Sequence, residues 1–332
     1  MDGTNNKTGW RQQHTHGLMS WVLFVFLLFI CPLSQASILL LLSGENSYYR
    51  ETAESLQKTT STLGISPDNF EIVTIGEAQQ ANTLNKPYEL IVAIGSSAAR
   101  ESLLQNSNTP LLNIFTPKNA FDAIELSTVH ETNRKISAIY LDQPLSRLIT
   151  LSCLLKPEAR NFGTIFGPVS QSSQSEIEAL TNENGIQLNH AFLAEDNNPV
   201  AVLKPIVSKS DLFIAIPDHA ILNRAIAKWI LYMGFQQKVP VIGFSKAYTN
   251  AGALASVFSS PEGIGKHAGE LIFDWLENSN QAIWNPQYPR YYTLSTNPAV
   301  ARSLGISLPS ERELYEKFQE QELKQKAHGN DQ

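Results

Sequence analysis

The sequence predicts an α/β protein of two doubly wound parallel-sheet lobes, and three observations predict it. Taking a 36-residue leader from 332 residues leaves about 296, more than one hydrophobic core usually serves. The apolar runs Ile38-Leu39-Leu40-Leu41-Leu42, Leu90-Ile91-Val92-Ala93-Ile94 and Leu111-Leu112-Asn113-Ile114-Phe115 lack polar alternation and read as strands buried on both faces. Helical patterns fall between such runs, and strand followed by helix, repeated, argues a parallel sheet.

At the N-terminus, Lys7 and Arg11 precede the uninterrupted apolar run Trp21 to Ile30, about ten residues and too short to span a bilayer comfortably. Small residues follow at Ser34-Gln35-Ala36. Residues 1–36 therefore read as a signal peptide, with a mature periplasmic chain starting near Ser37. The alternatives are an uncleaved anchor and lipidation at Cys31, where Phe29-Ile30 and Pro32 make a poor context.

The first lobe carries helical patterns over Tyr49 to Leu63 and Ala98 to Leu104. A second series opens after Gln143. The helix Leu145 to Leu155 ends before Lys156-Pro157, and Gly163-Thr164-Ile165-Phe166-Gly167 follows as a strand. Next come a helix around Ser175 to Thr181, a strand near Leu188 to Phe192, and strands at Asp211 to Ile216 and Val239 to Gly243. A helix from Ala220 to Met233 separates the last two. Ser260-Pro261-Glu262 opens a further helix toward Trp275 with a good cap and proline at its first position. A strand at Tyr291 to Leu294 and a helix Pro298 to Leu304, closed by Gly305, complete the series. Residues 311–332, rich in Glu, Lys and Gln, read as a solvated tail that frays.

Several segments taken together resemble a known family. They are Ala138-Ile139-Tyr140-Leu141-Asp142-Gln143-Pro144, Ile216-Pro217-Asp218, Pro240-Val241-Ile242-Gly243-Phe244-Ser245, Gly252-Ala253-Leu254-Ala255-Ser256, and Asn297-Pro298-Ala299-Val300-Ala301-Arg302-Ser303-Leu304-Gly305. From about residue 37 to about residue 310 the chain looks like the substrate-binding proteins of ABC transporters, tryptophan/tyrosine-binding members included. The resemblance implies a type I periplasmic-binding-protein fold with a three-crossing hinge near Leu141 to Pro144, Thr249 to Gly252 and Ser279 to Pro289. By that topology, residues 37–142 and 252–283 form the N-terminal lobe, and 143–251 and 284–310 the C-terminal lobe. It also implies a small-molecule ligand and an inner-membrane ABC permease as partners. The chain departs from the family pattern at Phe115-Thr116-Pro117-Lys118-Asn119-Ala120-Phe121 and where Asn133-Arg134-Lys135 leads straight to Ile136.

Such sheets bind ligands outside the carboxyl ends of their strands. In the first lobe this selects Ser43, Glu45, Ser96, Ser97 and Thr116; in the second it selects Ser170, Ser172, Asp218 and Ser245. The serines either hold a ligand carboxylate or cap their own helices. Asp218 either binds a ligand amino group or caps the helix beginning at Ala220. Phe115, Tyr140 and Phe244, near strand ends, either sandwich an apolar ligand or pack in the core. Asn223 falls in the first turn of the following helix, within reach of the cleft.

Composition bounds the remaining functions. The formal charge of −6 becomes about −7 once Asp2, Lys7 and Arg11 leave with the leader, which disfavours nucleic acid. Cys153, the one cysteine after residue 36, reads as a small buried hydrophobe. Gly263-Ile264-Gly265-Lys266 lacks the spacing of a phosphate loop, no Gly-x-Ser-x-Gly elbow occurs, and His219 and His267 stand too isolated for a metal site. No enzyme, metal or cofactor is expected, and membrane contact is expected only through a transporter or an uncleaved leader. The rival to permease delivery is a periplasmic module that senses a ligand or accepts cargo for a membrane receptor or outer-membrane transporter.

Overall fold

A computed structural model describes residues 3, 37–104, 108–128, 134–278 and 284–329. The expected leader, residues 1–36, lies outside these residues apart from residue 3. Among the described residues the chain forms two sheets. The first has the order β2-β1-β3-β4-β5, from β1 (Ile38–Leu42), β2 (Phe70–Thr74), β3 (Leu90–Ile94), β4 (Leu111–Thr116) and β5 (Ile136–Tyr140), and every pairing is parallel. Its central strands β1 and β3 are buried at every position, which is why their sequences show no alternation.

The second sheet has the order β11-β10-β9-β8-β6-β7. Its strands are β6 (Asn161–Phe166), β7 (Gln187–Phe192), β8 (Leu212–Ile214), β9 (Val241–Gly243), β10 (Ala255–Phe258) and β11 (Thr293–Thr296). All pair in parallel except β10 with β11.

Helices cover the sheets in the order α1 (Ser47–Thr62), α2 (Ile75–Gln80), α3 (Ser96–Leu104), α4 (Lys118–Thr128), α5 (Leu145–Leu155), α6 (Gln174–Glu183), α7 (Pro199–Ser208), α8 (Arg224–Gln236), α9 (Lys246–Ala251), α10 (Pro261–Glu277), α11 (Pro298–Leu304) and α12 (Glu311–Gly329). Cys153 lies partly buried on α5 against the second-lobe core, and burial raises its thiol pKa. No helix among the described residues is long and apolar enough to cross a membrane.

Helix α10 returns to the first lobe and packs against α1 so tightly that glycine is required. A Cβ on Gly265 would strike the Thr52 carbonyl oxygen, and one on Gly269 would fall 2.8 Å from the Thr59 Cβ. The Gly263-Ile264-Gly265-Lys266 segment is thus helix-packing sequence.

Three expectations are corrected. Ala255 and Val257 are fully buried in the second-lobe core, and their strand β10 pairs with β9 and β11. The crossing therefore lies at Ser259–Ser260. Gly252, with φ of 125°, ends α9 instead of serving as the hinge. Residues 284–288 belong with the first lobe, because Trp284 packs on its core and Gln287 bridges Ile139 beside β5.

Nor is the C-terminal segment a solvated tail. Leu314 and Phe318 of α12 are buried in the second-lobe core, while Glu322 reaches Arg147 and Gln325 reaches Thr150 on α5. The apolar positions fall only once per turn in a charged sequence, too thin a stripe to register as amphipathic.

Candidate functional site

The three crossings meet at a polar knot. Gln143 Nε2 donates to Ser259 Oγ at 2.6 Å, and Ser259 Oγ donates to the Leu141 carbonyl at 3.0 Å, which ties the first crossing to the second. Arg147 Nη1 donates to Gln143 Oε1 and to the Pro289 carbonyl, adding the third. In front of this knot, between the lobes, opens a cavity of about 340 Å³.

The first lobe and hinge supply Pro117, Asn119, Leu141, Asp142, Gln143 and Ser259 to its wall, and the second supplies Leu148, Pro217, Asp218, His219, Leu222, Phe244, Ser245 and Phe258. Most of the wall is apolar, and it contains no Lys or Arg. Two of its acceptors stand out. Asn119 Oδ1 is buried without a donor among the described residues. Asp142 Oδ2 accepts the Lys118 amide at 2.7 Å; burial raises the Asp142 pKa to about 6, although that amide and the Lys118 charge pull it back. A desolvated carboxylate and an unpaired amide oxygen in one wall attract a hydrogen-bonding cation.

Asp218 faces the same cavity but is already engaged. Its Oδ2 accepts the Val169 amide, the Ser170 amide and the Ser170 hydroxyl at 2.7–3.1 Å, while Oδ1 accepts the Ala220 amide at 3.0 Å. It staples the β6 loop to the β8 loop and holds the cavity wall in shape. The helix itself starts later than predicted, at Arg224, because Asn223 Oδ1 caps the Ala225 and Ile226 amides.

Of the residues the sequence singled out, the structure brings Asp218, Phe244 and Ser245 to the cavity, and Ser245 Oγ also caps α9 through the Tyr248 amide. The others lie outside its wall. Ser43 Oγ accepts the Ala98 amide, and the exposed Glu45 pairs with Arg50 at 3.1 Å. Ser96 and Ser97 open α3. Ser170 works through Asp218, and Ser172 Oγ donates to the Val169 carbonyl. Phe115, at a positive φ of 59°, packs edge-on against Tyr49. Thr116 is buried at the end of β4.

Tyr140 packs edge to face with Phe121 and Tyr288 at 5.9 and 5.2 Å between ring centres, with Lys118 Nζ 5.7 Å from its own ring centre. Burial raises its hydroxyl to about 12, and Asp122 and Glu125 add to the rise. The tyrosine directly precedes Leu141 and Asp142 of the wall and does not itself line the cavity.

Sequence reasoning missed Asn119, Asp142, Gln143, Phe258 and Ser259. Asp142 and Gln143 sat inside a segment already assigned to the hinge, and Asn119 inside the stretch that departs from the family pattern. The overlooked signal was that hinge residues also floor the cleft.

Solved structures support the architecture. The chain superposes on the ligand-free, open structure of a substrate-binding protein with adhesive properties from Clostridium difficile with a TM-score of 0.65 and 18% identity, covering 82% of this chain and 96% of that one. An ABC domain in complex with L-Trp from Streptococcus pneumonia gives a TM-score of 0.58 at 17% identity, with 83% and 96% covered. These are type I periplasmic-binding-protein-like folds. A tyrosine-binding protein of Clostridioides difficile is 19% identical over 195 residues, 58% of this chain and 56% of that relative, so the match spans little more than half of the relative's length. The model of the ABC transporter substrate binding protein family matches residues 68–318, most of the chain. The chain belongs to the ABC transporter substrate binding protein family.

Proposed function

We propose that the protein captures a small amine-bearing organic solute, amino acid-like, in the interlobe cavity outside the cytoplasm, and delivers it to an inner-membrane ABC permease. The observation that carries this reading is that the cavity wall holds both the Asp142 carboxylate and the unpaired Asn119 amide oxygen among apolar residues that include Phe244, Phe258, Leu141 and Leu222. An ammonium group answers the acceptors, and an aliphatic or aromatic body answers the wall. The relatives named for tyrosine and bound to L-Trp support that class.

The cavity is bounded by both lobes and the hinge, so ligand entry requires the lobes to part and ligand contacts favour their closing. A closed surface that forms only around ligand is what a permease needs to recognise a loaded receptor. Membership of a substrate-binding family supports this account over catalysis.

Thermal-shift measurements with L-tyrosine, L-tryptophan, other amino acids and their des-amino analogues test the proposal. Amine-bearing ligands raise the melting temperature and the des-amino analogues do not. Equal stabilisation by the des-amino analogues would overturn the role given to Asp142 and Asn119.

A further inference from the structure

Helix α8 turns an unusual face to solvent. Its inward positions Ile226, Ile230, Leu231 and Met233 are buried, as an amphipathic helix requires. The outward arc carries Trp229, Tyr232 and Phe235, which are 41%, 56% and 57% exposed. Trp229 and Tyr232 touch edge to face at 6.0 Å. Arg224 and Lys228 lie on the same arc and are also exposed. A lobe surface is ordinarily polar at such positions, and three adjacent exposed aromatics mark an interaction site.

Charge along this stretch of the sequence is one-sided. From His219 to Pro261 the sequence holds Arg224, Lys228, Lys238 and Lys246, all exposed, and no Asp or Glu, although the whole chain carries a net −6. Aromatic side chains with Lys and Arg beside them match the interface of an anionic bilayer: the rings sit at headgroup depth, and the cations meet lipid phosphates.

We propose that the α8 face docks the protein on an anionic lipid surface. This goes beyond solute capture and does not depend on it. Other occupants fit less well. A second copy meeting this face across a twofold axis would bring one cationic aromatic face against another of the same charge. A protein partner needs an extended complementary area, whereas one convex helix with three rings is small for a stable protein interface and adequate for a fluid surface. The contact adds a route to the membrane that the sequence reading confined to a transporter or leader.

The test uses the full chain with extruded vesicles of phosphatidylcholine, with and without phosphatidylglycerol. Co-sedimentation is expected with the anionic vesicles and weakens as salt rises. Lys228→Glu should bind at least ~10-fold more weakly, and the triple variant Trp229→Gln, Tyr232→Ser, Phe235→Ser should lose most binding while keeping the wild-type circular dichroism spectrum. Quenching by brominated phospholipids should report insertion of Trp229 itself. It should fall in Trp229→Phe, a change that binding through the leader would not produce. Three results would overturn the proposal: no binding to anionic vesicles at low salt, variants that sediment like the wild type, or quenching unchanged in Trp229→Phe. Loss of a protein partner in the triple variant, with vesicle binding intact, would likewise reassign the face.

Discussion

Arg147 and Gln143 lie four residues apart across the start of α5, and the hydrogen bond from Arg147 Nη1 to Gln143 Oε1 joins the parts of a single hinge. Through Gln143 the link runs to Ser259, and through Arg147 itself to the Pro289 carbonyl, the Tyr292 ring at 4.4 Å and Glu322 of α12 at 2.6 Å. All three crossings and the C-terminal helix thus converge on one buried guanidinium.

Replacing Arg147 by Met leaves Glu322, whose side chain is only 15% exposed, without its partner. The expected loss is about 3–5 kcal/mol in chemical denaturation, because breaking one half of a buried pair strands the other charge. Adding Glu322→Gln should recover part of it. A single variant as stable as the wild type would remove Arg147 from the hinge account.

Asp142 gives a pH dependence of defined sign. Its folded pKa is about 6, above the ordinary 3.8, so ionising it costs the folded state. That cost is absent below about pH 4 and complete above about pH 7, on the order of 3 kcal/mol. Asp142→Asn should therefore melt higher than the wild type at pH 7.5 and equally at pH 4. Ligand binding has the opposite sense, since an ammonium needs the ionised form: affinity should fall as pH drops through 6 in the wild type, and stay flat in the variant.

At the α1–α10 contact, Gly265→Ala should cost roughly 1–3 kcal/mol, since backbone atoms of Thr52 and Leu56 stand where the methyl would go. The melting temperature checks this directly. An unchanged value would mean that the two helices separate freely.

Phe318 is fully buried on a helix whose sequence looks solvated. Phe318→Ala should lose about 3–5 kcal/mol, and deletion of 311–332 should destabilise the second lobe instead of trimming a loose end. Wild-type stability in both would restore the tail as dispensable.

These particulars show what the sequence could and could not disclose. Strands buried on both faces, such as Ile38–Leu42, announce themselves by continuous apolar residues, so the fold class was legible. Phe244, Ser245 and Asp218 were found by the strand-end rule because their lobe meets the cavity through loops directly after strands. The first lobe instead contributes the turn at Pro117 to Asn119 and the hinge residue Asp142, a few positions beyond the strand ends that the rule selects. Ser43 satisfied the rule and went to capping Ala98, since a hydroxyl beside free helix amides serves either purpose. Pairing moved β10 to the second sheet, and tertiary contacts docked α12; neither leaves a local signature.

Native mass spectrometry identifies the solute itself, with protein purified from its own source and then denatured to release what it holds. One defined small mass bearing an amine is expected, present in the wild type and depleted in both Asp142→Asn and Phe244→Ala. An amine-free ligand, or a mass held equally by wild type and both variants, would contradict it and move the binding site away from the interlobe cavity.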